Sequence, residues 1–524
     1  MSYRKLTLDE IAQLREQGCR SNNWESISVA DDFVAKDVRN VRFEGEIHIG
    51  SNVRIENVGI IRTTDGASFG EGVCVSVKNE AGDGNVILYS ALTSQTAALM
   101  VRSADDEELF GKLRQMAERY VEENAATCTT IGSGVTITDC RELTNVSIGN
   151  DSELCGASRL IDCTLVSTPD ATIYIGDDVI MENVIAQAGA TIVDGAKLYD
   201  SFVGEACHIG RGFTSENSLF FANSHMDNGE ACAALCGPFA VSHHKSSLLI
   251  GGEYSFYNAG SGTNFSNHAY KMGPIHYGTM ERGAKTASGA HILWPAKIGA
   301  FSMAMGKIET HPDTSMFPFS YVIGGPRKTS LKPGQNLCTV GTYRDITKWP
   351  KRDKRPASGR RSLITFDWLS PYVIERIKRA IDALEQLQIE QGEDADEYVC
   401  NGFSISSSAL QRGLFYYDMA LRMYEGADST TEWTDLLGLL APVETIQQIQ
   451  EDIVSGNICT IDALEGAMHD IYDSYSQWKG FNENEAERDQ AIEEWKDTIQ
   501  RDAEREYEMG DVNEKQLTEF IDNL

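Results

Sequence analysis

The sequence predicts a mainly β chain, in which a coiled, triangular solenoid carries an inserted helical segment and is followed by a C-terminal all-α domain. Three observations predict this. An aliphatic residue followed by glycine and small polar residues recurs about every six positions. One internal segment replaces that pattern with helical spacing, and beyond residue 325 the pattern stops and long amphipathic segments begin. The 524 residues exceed what one compact core needs, so several domains are expected.

The predicted organisation has four parts. A helical or irregular N-terminal segment covers residues 1–40, and the solenoid covers residues 41–325. A basic linker follows over residues 326–369, and an acidic helical domain completes the chain over residues 370–524.

The solenoid is predicted from stretches such as IHIGSNVRIENV (47–58), TTIGSGVTI (129–137) and SFVGEACHIGRGF (201–213). A period of six fits neither an amphipathic helix nor simple strand alternation. It fits short strands on three sides of a coil, with an aliphatic residue pointing inward and glycine or another small residue at each corner.

A helical insertion is predicted over about residues 93–128. This segment has no six-residue signal, and Leu109, Leu113, Met116 and Tyr120 recur at helical spacing. Such a stripe is typical of an amphipathic helix or a helical pair.

The C-terminal region shows five amphipathic segments. Ser370-Pro371 suits the N-cap and first turn of the first of them. Residues 371–524 contain 35 acidic and 11 basic residues, which predicts an acidic exterior. The predicted helices cover residues 370–391, 406–426, 441–456, 461–480 and 482–510.

Composition also limits the partners. The net charge of −32 argues against nucleic acid as a ligand. No apolar run approaches the roughly 20 residues that span a bilayer, which argues against a membrane, and the N-terminus lacks the apolar core of a signal peptide. A cytoplasmic location is therefore expected. The basic segment 327–361 has two interpretations, a solvated linker or a docking surface for the phosphates of a ligand.

Histidines concentrate in one region, since eight of the ten lie between residues 208 and 311. A triangular coil takes about 18 residues, so residues that far apart stack on one another. His225 and His243 are 18 residues apart, and His208 precedes His225 by 17. The stack is either a structural ladder or a metal site, and His225, His243 and His276 are the possible metal ligands.

The repeating pattern resembles the hexapeptide-repeat family of left-handed parallel β-helices. That resemblance implies a left-handed coil, a homotrimer and ligand sites in the clefts between subunits. The whole layout also resembles a group of long bacterial hexapeptide proteins with an inserted helix and a C-terminal helical domain.

A local stretch is similar to the acetyltransferase half of the bifunctional N-acetylglucosamine-1-phosphate uridyltransferases. His244 is followed by the turn Gly260-Ser261-Gly262-Thr263 and then by Asn267. The similarity implies that His244 is a general base, that Asn258 contacts a sugar nucleotide and that Asn267 lies near the acyl donor. His268 and Lys271 are further predicted ligand contacts, the lysine to phosphates of coenzyme A.

The leading hypothesis is an acyltransferase that moves an acyl group from acyl-CoA to an amino sugar or sugar nucleotide. A neutral imidazole suits the base because its pKa lies near neutrality. One alternative is a metal-dependent, histidine-ligated lyase or hydrolase. Another is a non-catalytic trimeric scaffold or sugar-nucleotide sensor.

Overall fold

The architecture is mainly β and solenoid-like, as predicted. A computed structural model describes residues 3–268, 273–400 and 402–524. They form two compact units. Unit 1 comprises Met1–Gly252, Lys354–Leu363 and Gln450–Gly466, and unit 2 comprises Glu253–Asp353, Ile364–Ile449 and Ala467–Leu524.

The strands up to residue 254 are short and mostly paired in parallel. They are β1 (Tyr3–Lys5), β2 (Arg20–Ser21), β3 (Ile27–Ala30), β4 (Val38–Glu44), β5 (Ile47–Ile49), β6 (Arg54–Arg62), β7 (Cys74–Asn79), β8 (Asp83–Ile87), β9 (Thr129–Ile131), β10 (Thr136–Thr138), β11 (Glu142–Ile148), β12 (Glu153–Cys155), β13 (Arg159–Leu165), β14 (Tyr174–Ile175), β15 (Ile180–Ala186), β16 (Thr191–Ile192), β17 (Lys197–Val203), β18 (His208–Gly210), β19 (Thr214–Glu216), β20 (Leu219–Phe220), β21 (His225–Asp227), β22 (Glu230–Cys236), β23 (Val241–Ser242) and β24 (Leu248–Tyr254).

The later strands belong to unit 2. They are β25 (Asn264–Ser266), β26 (Thr279–Met280), β27 (Lys285–Thr286), β28 (His291–Leu293), β29 (Lys297–Ile298), β30 (Met303–Met305), β31 (Lys307–Ile308), β32 (Tyr321–Gly325), β33 (Lys328–Lys332), β34 (Glu397–Cys400), β35 (Phe403–Ser406), β36 (Trp433–Leu436) and β37 (Leu439–Pro442).

Helices occur near the N-terminus, as an insertion, and throughout the C-terminal third. They are α1 (Leu8–Glu16), α2 (Ser94–Arg102), α3 (Glu107–Asn124), α4 (Val340–Arg352), α5 (Pro371–Gln391), α6 (Ser407–Met423), α7 (Val443–Ser455), α8 (Ile461–Lys479), α9 (Glu485–Glu508) and α10 (Glu514–Asp522). No helix in the described ranges is long and apolar enough to cross a membrane.

Apolar side chains stack in columns inside unit 1. One column follows the register of successive parallel strands, and all its members are fully buried: Ile137, Leu154, Ile175, Ile192, Ile209 and Met226. Burying each such side chain contributes about 1.5–3 kcal/mol. Most steps along the column are 17 residues, so the coil is one residue shorter than the 18 predicted. The left hand of the coil and the hexapeptide-family assignment stay predictions.

Asparagine and aspartate occupy many corners where small residues were expected. Asn57 and Asp139 adopt φ values of 55° and 56°. Both residue types tolerate this left-handed conformation better than other non-glycine residues do. The Asn57 side chain also donates a 3.0 Å hydrogen bond to Asp139 Oδ1. These corners therefore gain a polar ladder that glycine could not provide.

Helices α2 and α3 lie within the segment predicted as a helical insertion. Leu109, Leu113 and Met116 are buried, as their spacing indicates. An antiparallel hairpin of β7 and β8 precedes them, which the sequence pattern did not predict.

The C-terminal region is not all-α, so the prediction of an all-α domain is wrong. Helices α5 to α9 agree with the predicted segments to within three residues at each end. Two antiparallel hairpins, β34–β35 and β36–β37, interrupt them. In the first hairpin, β35 also pairs in parallel with β33. The second hairpin turns through Leu437 and Gly438, both of which have positive φ. Short strands of this kind are stabilised by pairing with other strands, and the β-propensity of the local sequence does not reveal that pairing.

Candidate functional site

Histidines from consecutive coils of unit 1 lie side by side. His208 on β18 is in register with His225 on β21, and their ring centroids are 4.4 Å apart. His243 directly follows β23, and its ring centroid lies 4.4 Å from that of His225. Val241, not His243, is in backbone register with His225. The predicted stack therefore forms, although its last member reaches His225 from two residues farther along.

Asp227 joins two of these histidines. Alternate residues of a strand point to the same face, so Asp227 shares the face of His225. Its Oδ2 lies 3.2 Å from His225 Nε2, and its Oδ1 lies 3.6 Å from His208 Nε2. One ligand atom from each of the three residues falls within 4.8 Å of the others. We call His208, His225 and Asp227 the histidine–aspartate cluster.

The carboxylate of Asp227 is buried and incompletely paired. Its side chain is 5% exposed, and Oδ1 has no hydrogen bond within the described ranges. Arg211 Nε approaches Oδ2 only to 3.7 Å, and the arginine side chain is mostly exposed. A buried, unmatched carboxylate oxygen is costly unless a cation or donor satisfies it. A bound cation would supply a partner for Oδ1.

Gly210 lies next to the cluster and, because it has no side chain, leaves room for the ligand atoms of His208 and Asp227. This residue is in register with Asp227. A Cβ at position 210 would lie 3.0 Å from His208 Nε2 and 3.1 Å from Asp227 Oδ1. Any larger residue would crowd both ligand atoms.

The cluster favours neutral imidazoles. Burial lowers the pKa of His208. Burial, together with the neighbouring His208 and His243, lowers the pKa of His225 to about 4. Neutral imidazole is the form that coordinates metals.

A second group in unit 1 also brings metal-ligating residue types together. Glu46, His48 and Cys128 offer ligand atoms within 4.8 Å of one another. Burial raises the pKa of the Cys128 thiol, and Glu46 adds to the effect. Because the thiolate is the ligand form and Glu46 is exposed, this group is the weaker candidate.

The residues predicted for acyl transfer fall into different parts of the chain. His244 is an exposed residue of unit 1, and its ring centroid lies 6.4 Å from that of His243. Asn258, Asn267 and His268 belong to unit 2. Asn267 is 1% exposed, whereas His268 is exposed. Lys271 lies outside the described residues, and the roles of all five stay predictions.

The glycine turn at residues 260–263 is held by two threonine hydroxyl groups, one from the turn and one from β27. Thr263 Oγ1 donates to the Gly260 carbonyl at 2.7 Å. Thr286 Oγ1 accepts from Gly260 N at 3.0 Å and lies 2.7 Å from Thr263 Oγ1. Thr263 is fully buried, so its side chain stabilises the turn.

The metal ligands proposed from the sequence correspond in part to the observed cluster. His225 is a member, and His243 contacts it. His276 belongs to unit 2, where its backbone N–H donates to the Asn267 carbonyl at 3.1 Å. Asp227 and His208 were not among the possible metal ligands named from the sequence. The His-x-Asp spacing at 225–227 was the signal that could have revealed the carboxylate.

Parts of the chain match two known protein families. Residues 3–55 and 48–388 match a domain of unknown function, DUF4954. Residues 420–482 match a second domain of unknown function, DUF6819.

Two individual proteins are also similar to the chain. An "Uncharacterized protein" of Treponema pallidum (strain Nichols) is 23% identical over 466 residues, covering 75% of this chain and 63% of its own length. The chain therefore spans less than two thirds of that relative. A crystal structure of a "putative acetyltransferase" from Desulfovibrio desulfuricans G20 is 13% identical, with 56% of this chain and 70% of that chain covered. Its TM-score of 0.12 supports no conclusion about fold or activity.

Proposed function

We propose that this chain, which belongs to the DUF4954 family, binds a divalent first-row transition metal at the histidine–aspartate cluster and performs hydrolase- or lyase-type chemistry there. The observation that carries the proposal is the convergence of His208, His225 and Asp227 within 4.8 Å on adjacent parallel strands. The unmatched Asp227 Oδ1 supports it independently.

The donor set indicates the class of metal. Two imidazoles and one carboxylate suit zinc, iron or cobalt, whereas magnesium and calcium prefer oxygen ligands alone. When bound, such a metal supplies Lewis-acid activation of water. Three protein ligands leave coordination positions for water and substrate. In this proposal Asp227 provides the compensating charge, and exposed His243 beside His225 receives a proton from the reacting group.

Metal titration of the chelator-treated chain tests the proposal. We expect Zn²⁺ and Co²⁺ to bind at one per chain and raise the melting temperature, and Mg²⁺ to do neither. Asp227→Asn removes the carboxylate charge and should weaken Zn²⁺ binding at least about tenfold. Gly210→Ala should also weaken binding, because its Cβ would crowd both ligand atoms. Calorimetry and Co²⁺ absorption provide the readouts.

Gly466→Ala is the matched control, since a Cβ there meets nothing within 4 Å. It should bind Zn²⁺ as the wild type does. Unchanged affinity in both Asp227→Asn and Gly210→Ala would remove the cluster as the metal site.

Acyl transfer by His244 is a second proposal. The observation that favours it is the exposure of His244 one residue beyond the stack, where its imidazole makes no hydrogen bond to the described part of the chain. A base must be free to receive a proton from the incoming amine or hydroxyl. The proposed donor is acyl-CoA, the proposed acceptor an amino sugar or sugar nucleotide, and the proposed assembly a homotrimer.

A coupled assay that detects free coenzyme A tests this second proposal. His244→Asn should lower the rate with an amino-sugar or sugar-nucleotide acceptor by about 100-fold or more. His469→Asn, an exposed histidine on α8, should leave the rate unchanged. Full activity in His244→Asn would eliminate His244 as the base.

A further inference from the structure

A cleft in unit 1 shares no residue with the histidine–aspartate cluster. It is bordered by β9, β11 and β13 and by the C-terminal end of α3, and its volume is about 500 Å³. A neighbouring cavity of about 400 Å³ shares Tyr120, Asn124 and Arg361 with it. Both volumes fall in the range typical of small-molecule sites.

Three hydroxyl side chains form a row along the cleft. Thr130, Ser147 and Thr164 line it, and each is in register with the next on adjacent parallel strands. Residues in parallel register point the same way and repeat at about 4.8 Å, the spacing between strands. Thr130 Oγ1 and Thr164 Oγ1 already donate to the Cys128 and Phe69 carbonyls, at 3.2 and 2.8 Å, so they can only accept from a ligand. Ser147 can both donate and accept, and this hydroxyl row therefore suits a ligand with several hydroxyl groups that donate.

Arg361 places a positive charge at the same cleft. Its guanidinium has no ion-pair partner in the described part of unit 1. Glu465 is the carboxyl that it influences, and burial raises the pKa of that group to about 7. Arg361 also lines the cleft, so its guanidinium can meet an anion there.

The segment that carries Arg361 is firmly anchored. Glu205 accepts hydrogen bonds from the backbone N–H groups of Arg361 and Ser362, at 2.9 and 3.0 Å. It also pairs with Arg355 at 3.3 Å, and both side chains of that pair are almost completely buried. Because the backbone of Arg361 is already held in place, ordering its side chain on a ligand costs less conformational entropy.

Glu71 adds an acid to the cleft. It is 6% exposed, and its Oε2 accepts from Ser90 N at 3.0 Å. Burial raises its pKa to about 7. The carboxyl can therefore act as donor or acceptor towards a ligand hydroxyl near neutral pH.

We propose that this cleft binds a phosphorylated sugar, with the phosphate at Arg361 and the sugar hydroxyls along the hydroxyl row and Glu71. A guanidinium matches the geometry of a phosphate with paired hydrogen bonds. A single arginine suits one phosphate group better than a polyanion, and the hydroxyl row suits a ligand with polar groups. The site goes beyond the proposed metal centre and shares no residue with it.

Calorimetry on the metal-free full chain tests the inference with glucose 6-phosphate, glucose 1-phosphate, inorganic phosphate and glucose. At least one hexose phosphate should bind at least about tenfold more tightly than inorganic phosphate or glucose, since each of the latter makes only part of the contacts. Arg361→Gln should weaken hexose phosphate binding about tenfold or more. Ser147→Ala, which removes one hydroxyl of the row, should weaken hexose phosphate binding and leave phosphate binding unchanged.

Arg360→Gln is the control for charge, because it removes the same charge one residue away, where the guanidinium donates to backbone carbonyls. It should bind hexose phosphate as the wild type does. Equal effects of Arg361→Gln and Arg360→Gln, equal binding of inorganic phosphate and hexose phosphate, or no hexose phosphate binding at millimolar concentration would each overturn the inference. Since the chain is metal-free, these outcomes do not depend on the metal proposal.

Discussion

The His225→Ala variant should bind Zn²⁺ about 100-fold or more weakly than the wild-type chain, because a ligand is lost and losing even its supporting contacts costs 10–100-fold. His225 is the central member of the stack. Its Nε2 lies 3.2 Å from Asp227 Oδ2, and its ring is 4.4 Å from that of His208. Competition with a chromophoric chelator measures the affinity.

Two other histidine variants separate this effect from a general loss of imidazole. His243→Asn removes a ring that contacts His225 but lies outside the histidine–aspartate cluster. His48→Asn removes the imidazole of the second group. Both should keep Zn²⁺ affinity within a few-fold of wild type. If His48→Asn lost as much affinity as His225→Ala, the metal would have been assigned to the wrong group.

The Asp435→Ala variant should lose about 3–5 kcal/mol of unfolding free energy in unit 2, the usual cost of breaking a buried ion pair from one side. Arg282 is 2% exposed, and its Nε donates to Asp435 Oδ2 at 2.9 Å. Its other nitrogens donate to the Thr365 and Gly438 carbonyls. Removing the carboxylate leaves a buried guanidinium without its counter-charge. Urea denaturation measures the loss.

The double variant Arg282→Met with Asp435→Leu distinguishes lost charge pairing from lost packing. It should recover part of the stability, because the unpaired guanidinium is removed while the Thr365 and Gly438 carbonyls lose their donors. Asp382→Ala, at an exposed position of α5, should change the free energy by no more than about 0.5 kcal/mol. A loss below about 1 kcal/mol in Asp435→Ala would show that the ion pair is not needed for stability.

Local periodicity allowed the solenoid-like architecture and most helices to be predicted. The aliphatic residues of the buried column recur at nearly constant intervals, and Leu109, Leu113 and Met116 follow the helical period. These patterns arise from which face a short segment buries, so they are visible in sequence.

Features that depend on contacts between distant segments escaped prediction. Helix α4 lies in the stretch predicted as a linker, and the buried side chains of Ile346 and Trp349 indicate that it packs as part of a core. The cleft draws Glu71, the hydroxyl row and Arg361 from separate parts of the sequence. No short-range pattern links such residues.

The candidate site was predicted only in part. The spacing of the histidines allowed the members of the stack to be named in advance, although the coil is shorter than assumed and His243 lies outside the backbone register of His225. Asp227 was missed, although its spacing from His225 is visible in the sequence, because its burial and its approach to His208 depend on the preceding coil.

An anomalous difference map from a Zn²⁺-soaked crystal tests the central claim most directly. We predict one strong peak at about 2.0–2.2 Å from a ring nitrogen of His208, a ring nitrogen of His225 and a carboxylate oxygen of Asp227. A map with no peak at these three residues under saturating Zn²⁺, or with its strongest peak at Glu46, His48 and Cys128, would contradict the account.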